Sequence, residues 1–204
     1  MSYAYFGGTR WVDLRSLAGF QADIEEFARP LSHLCRYCGA LGWISVAQHS
    51  VITLKSLELA YKLLNLTVPD NQEELRRVKL YLLIHDIHEA LTGDLTAPLK
   101  TALHSVLGNI KLETYMQYTQ RRCLQAISLD YPDAEVQTIT TWADRIAMLA
   151  EVYSFASDFD NARWWPWKAM AKPERLPLVG KRLSSPAAAE DFLWHYYDNR
   201  TLVD

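Results

Sequence analysis

The chain has 204 residues, 50% of them hydrophobic and 22% charged, with a net charge of −3 at neutral pH. That length fits one domain, able to bury roughly 70% of its unfolded surface without disulfide or metal staples. A slightly acidic chain carries no basic footprint, which argues against nucleic acid as a partner. No apolar run approaches the ~20 residues of a membrane span. The opening "MSYAYFGGTRW" lacks the basic and apolar regions of a secretory leader, so a cytoplasmic protein is expected. The three cysteines suit a reducing compartment, because an odd count leaves one unpaired.

"YAYFGGTRWVDL" places two alternating, aromatic-rich runs around Gly7-Gly8, the signal of a hairpin within residues 1–15. Beyond it the periodicity is helical. Residues 23–37 carry Ile24, Phe27, Leu31 and Leu34 at helical spacing, with Pro30 as a bend. Ser45 is an N-cap for a helix bearing Val46, Ile52, Leu57, Leu59 and Leu63. "TVPDNQEEL" is a loop leading into a helix over 72–91, stopped by Gly93. Further helices are predicted over 99–128, 134–156 and 187–197, and the stretch between the last two is irregular, with four prolines. The expected fold is all-α with a small N-terminal β-hairpin. A single domain spans 1–204, with residues 159–204 as an extension packed on it.

The segment "LLIHDIHEALTGDLTAP" puts His85, Asp86, His88, Glu89 and Asp94 into an otherwise apolar stretch. Burying ionisable groups is costly unless they are paired or bound to metal. His49 in "VAQHSV" and Asp144 in "TWADRIAML" are likewise single polar residues in apolar helical surroundings. Imidazole plus carboxylate is a borderline-to-hard donor set, suited to one divalent ion such as Mn, Co, Ni, Zn, Fe or Mg.

The ordered set "AQHS … HDIHE … GD … AD", with "P-x-K" after "GD", resembles the HD-domain phosphohydrolase superfamily. Within it, "LSHLCRYCGALGWISVAQHSV" is most like the 5′-deoxynucleotidase-like branch, which includes phage dATP triphosphohydrolases. The resemblance covers residues 7–158 and implies an HD-domain helical fold with one divalent ion held by His49, His85, Asp86 and Asp144. It implies catalytic roles for Glu89 and Asp94, which flank the scissile phosphate in that branch. Lys100 and Arg36 are candidates for gripping phosphate. The plain alternatives are a solvated helix-start lysine and a surface salt bridge. Tyr37 and Trp43 lie just upstream of His49, where an aromatic could stack on a base, although a plain core role is favoured for Trp43. His88 either supports a ligand or lies at the surface. The Cys35-x-x-Cys38 pair reads as packing, Trp164 to Trp167 as a docking or oligomer patch, and Glu151 and Asp158 as facing solvent or bridging helices.

The implied activity is hydrolysis of a deoxynucleotide substrate at the α-phosphorus by a homo-oligomeric enzyme. It would release a deoxynucleoside with phosphate from a monophosphate, or with triphosphate from a dNTP. Two alternatives are a cyclic-nucleotide phosphodiesterase and a non-catalytic nucleotide sensor. The first would need additional histidines, and only His104 follows between the HD segment and Asp144. The second would imply a decayed site, against which Glu89 and Asp94 argue.

Overall fold

The computed structural model describes residues 3–8, 10–107, 109–156 and 173–200. At the N-terminus β1 (Tyr3–Phe6) pairs antiparallel with β2 (Arg10–Asp13), Phe6 opposite Arg10, and Gly7 and Gly8 both take the positive φ that the reversal needs. Phe6 and Val12 turn inward, where Phe6 packs on Phe20 and Phe27. Tyr5 and Trp11 face outward as a cross-strand pair.

Nine α-helices follow among the described residues: α1 (Ile24–His33), α2 (Val46–Lys55), α3 (Leu57–Leu63), α4 (Gln72–Leu83), α5 (Glu89–Thr92), α6 (Ala97–Leu107), α7 (Asn109–Ala126), α8 (Ala134–Phe155) and α9 (Ser185–Arg200). The expected all-α architecture with a small hairpin is the one observed. No helix among the described residues is long and apolar enough to cross a membrane. Trp164 to Trp167 and Asp158 lie outside the described residues.

The core forms around α2, which is buried from Val46 through Leu54 and so has no solvent face. Helix α8 packs on α2, α3 and α4, and α9 packs on α1, α2 and α4. The caps are those the sequence supplies. The Ser45 hydroxyl accepts from the Gln48 N–H at the start of α2. Asn71 accepts from Glu73 and Glu74 at α4, and Asp133 accepts from Val136 at α8.

Four predicted helices end or break differently, and each difference has a local cause. Helix α1 runs through Pro30 and stops at His33, because Leu34 is extended and Cys35 bridges Ser45 as an isolated β-pair. The predicted continuous helix after Ser45 divides at Ser56, whose hydroxyl donates back to the Ile52 carbonyl. The helix predicted over 72–91 ends at Leu83. The Gln120 side chain of α7 donates to the Ile84 carbonyl and accepts from the His88 N–H, so it takes over bonds that a continuing helix would make internally. The predicted helix over 99–128 is two, α6 and α7.

Candidate metal centre and its pocket

Three elements bring the predicted ligands together. His49 projects from the middle of α2 and is fully buried. Asp144 comes from α8, while His85 and Asp86 sit in the turn between α4 and α5 rather than on a helix. That turn removes the 100° divergence that two adjacent residues have on a helix. Nε2 of His49 is 3.0 Å from Oδ1 of Asp144 and 3.9 Å from Oδ2 of Asp86. Nε2 of His85 is 3.0 Å from Oδ2 of Asp86 and 3.9 Å from Oδ1 of Asp144. One donor atom each from His49, His85 and Asp144 falls within a mutual 4.8 Å, the spacing of a metal-binding group. Asp86 adjoins that group through both imidazoles.

The donor set fits a divalent ion by a specific test. Nε2 of His85 is buried without a hydrogen-bond partner, although it lies 3.0 Å from a carboxylate oxygen. A buried polar atom left unbonded beside two carboxylates is placed as a ligand is placed. The far nitrogens are committed. Nδ1 of His85 faces the Leu82 carbonyl at 2.8 Å, and Nδ1 of His49 faces Oε1 of Glu151 at 2.8 Å. Both contacts call for the proton on Nδ1 and leave the Nε2 lone pairs aimed at the centre.

Glu151 is the residue that sequence reading underrated. It is fully buried and bridges helices, one of the two options predicted for it, and it does not face solvent. It lies seven residues after Asp144 on α8, two turns along the same face, which was the available signal. Burial opposes its charge, but His49 and Arg36 outweigh burial and hold its carboxyl below the usual range. For Asp86 burial is likewise outweighed, chiefly by His85 and His49, and its carboxyl is held well below the usual range.

Arg36 and Tyr37 do not continue α1. They occupy a 3₁₀ turn, Arg36–Gly39, in which Tyr37 and Cys38 both have left-handed backbones, with φ of 56° and 50°. Two such non-glycine residues in succession cost roughly 1–2 kcal/mol each, so the surroundings must hold them. The Arg36 N–H donates to the Ile44 carbonyl, and the Tyr37 hydroxyl donates to Oε2 of Glu151 at 2.6 Å. Arg36 is itself buried, with its guanidinium 3.5 Å from Glu151 and 3.7 Å from Asp86. The surface salt bridge considered for it is therefore excluded.

A pocket of about 530 Å³ opens onto this cluster, lined by Arg36, Tyr37, Asp86, Glu89, Asp94, Lys100 and Asp144 among others. Its size is that of a small-molecule site. Glu89 opens α5, is almost wholly buried and leaves Oε2 without a partner. Burial, then the neighbouring Asp86 and Asp94, push its carboxyl well above the usual range. Lys100 reaches to 4.0 Å from Glu89. Gly93, at φ 78°, caps α5 and turns the chain toward Asp94. Trp43 is 41% exposed and does not line this pocket, so neither the base-stacking nor the core reading describes it. His88 is buried rather than superficial, and its Nδ1 faces Gln120 at 2.9 Å. Cys35, Cys38 and Cys123 are free thiols. No protein-family model matches the chain, and no curated protein matches it.

The charge arrangement predicts a pH dependence. Burial and Arg36 oppose protonation of His49, yet Glu151 and Asp144 outweigh them and raise its pKa from 6.5 to about 9. A folded-state pKa above the unfolded value stabilises the fold fully below the unfolded pKa, and that stability is lost as pH rises through the folded one. In chelator-treated protein the melting temperature is therefore expected to fall as pH rises from 6.5 to about 9. The full swing is about 3 kcal/mol. A melting temperature that stays flat or climbs across that window, followed by calorimetry with a chelator present, rejects this coupling.

Proposed function

We propose that this protein is a metal-dependent deoxynucleotide phosphohydrolase acting at the α-phosphorus. It releases a deoxynucleoside together with phosphate or, from a triphosphate, tripolyphosphate. The observation that carries the reading is the convergence of His49, His85 and Asp144, with Asp86 beside them, where Asp86 and Asp144 also line a pocket that holds Glu89, Asp94, Arg36 and Lys100. The preference for a deoxynucleotide comes from the resemblance to the deoxynucleotidase branch.

A divalent ion held by this set supplies positive charge at phosphorus and acidifies water. The chain's own residues do the rest. Arg36 and Lys100 hold the phosphate oxygens, as phosphoryl transfer requires of flanking cations. Arg36 does so from a fixed position, since two carboxylates already orient it. Asp94 accepts a proton at the pocket wall, and Glu89 donates one to the departing 5′-oxygen. Buried carboxyls of raised pKa serve as general acids. A homo-oligomeric cytoplasmic enzyme belongs to the same proposal.

The test is a panel of deoxynucleoside monophosphates, deoxynucleoside triphosphates and ribonucleotides with several divalent metals, products resolved by chromatography. Deoxynucleotides are expected to outpace their ribose counterparts, with nucleoside as the product. Equal kcat/KM for ATP and dATP would count against a deoxynucleotide enzyme, and release of pyrophosphate would place the cleavage at the α–β anhydride rather than at the 5′-ester bond.

A further inference from the structure

We infer that Glu151 is the positioning residue that couples the metal centre to the phosphate grip, through one buried carboxylate shared by His49, Tyr37 and Arg36. The inference rests on the metal site of the proposed function and adds a residue that neither the HD pattern nor the pocket lining contains.

The two oxygens of Glu151 face two different machineries. Oε1 accepts from Nδ1 of His49 at 2.8 Å, and that bond fixes which imidazole nitrogen is left for the ion. Oε2 accepts from the Tyr37 hydroxyl at 2.6 Å and lies 3.5 Å from Nε of Arg36. Tyr37 and Cys38 are the left-handed pair of the 3₁₀ turn, and the side chain of Tyr37 ties that turn to α8. Arg36 also lies across the ring of Tyr37, with its guanidinium carbon 5.2 Å from the ring centroid. A rotation of the Glu151 carboxylate that served one partner better would abandon the others. The imidazole of His49, the phenol of Tyr37 and the guanidinium of Arg36 are thereby held as one unit. Glu151 is 0% exposed, so bulk solvent does not reach its carboxylate and its charge is met by these three side chains.

The consequence is long-range within the site. Tyr37 touches none of the ligand atoms, yet loss of its hydroxyl frees the carboxylate that orients His49. Partners that orient a ligating histidine typically contribute 10–100-fold to metal affinity. Glu151→Gln keeps one acceptor for Nδ1–H but places an NH₂ where Tyr37 donates and Arg36 pairs. Glu151→Ala removes both functions.

Co²⁺ is the probe, titrated by calorimetry into the metal-stripped full chain and followed by its visible ligand-field bands. Glu151→Ala is expected to bind Co²⁺ about 10–100-fold more weakly, with Glu151→Gln recovering part of the loss. Tyr37→Phe deletes one hydroxyl and keeps the ring, so it tests the coupling in a chain that folds. It is expected to weaken Co²⁺ severalfold, to alter the bands and to raise KM for a deoxynucleotide more than it lowers kcat. Wild-type affinity and bands in Tyr37→Phe would overturn the coupling while leaving the metal site in place. A wild-type chain that fails to bind Co²⁺ overturns both the coupling and the proposed function. If the wild type binds Co²⁺ without hydrolysing nucleotides, only the proposed function fails, and the Co²⁺ affinities still decide the role of Glu151.

Discussion

Replacing Asp86 by alanine is expected to remove the divalent ion and the turnover together. Oδ2 of Asp86 lies 3.0 Å from Nε2 of His85, 3.9 Å from Nε2 of His49 and 3.7 Å from the guanidinium of Arg36. It is the carboxylate that offsets both imidazoles and the arginine at once. Without it, Asp144 would be the one carboxylate left in the donor group to face an incoming dication, with Arg36 paired to Glu151 alone, and the local field would turn against the ion. A loss of 10³-fold or more in kcat/KM is expected, about 4 kcal/mol of transition-state stabilisation. Elemental analysis of the purified variant provides the check independently of activity. Stoichiometric metal in Asp86→Ala would leave His49, His85 and Asp144 as the binding group and move Asp86 to another role.

The candidate ligands stand out in the sequence as ionisable residues in largely apolar surroundings, a pattern that needs a partner or an ion, and the resemblance to the HD-domain pattern is what singles out the set of four. Glu89 is identified through its place in the "HDIHE" run and the resemblance that run carries, and the residue is buried in the structure. Capping gave the start of α2, since Ser45 stands immediately before the first helical turn, and the loop "TVPDNQEEL" gave the start of α4 at Gln72. What periodicity could not give is where tertiary bonds replace helical ones. The turn that presents His85 and Asp86 exists because Gln120, 36 residues downstream, takes the Ile84 carbonyl. The left-handed Tyr37–Cys38 pair carries no glycine to announce it, and its support comes from Glu151 and Ile44. Glu151 lies between apolar neighbours on α8, yet it falls outside the ordered set of His49, His85, Asp86 and Asp144. A motif names the atoms that meet the ion and is silent on what orients them.

Glu89→Gln is expected to keep the metal and lose most of kcat for nucleotides, by ~10²–10⁴-fold, the usual worth of a positioned proton donor. The physical basis is its environment. Glu89 is 2% exposed, Oε2 has no partner, and burial together with Asp86 and Asp94 favours the protonated carboxyl. Lys100, at 4.0 Å from Oε1, moderates that shift and keeps the group able to cycle. A deoxynucleoside leaves as an alkoxide unless its 5′-oxygen receives a proton, whereas an aryl phosphate expels a phenolate that needs none. The loss in Glu89→Gln is therefore expected to be large with a deoxynucleoside monophosphate and small with p-nitrophenyl phosphate. The alkaline limb of the wild-type pH–rate profile, which reports loss of the donated proton, should vanish in the variant with the nucleotide substrate. Equal losses with both substrates would assign Glu89 to orienting water or phosphate, and an unchanged kcat would remove it from the chemistry altogether.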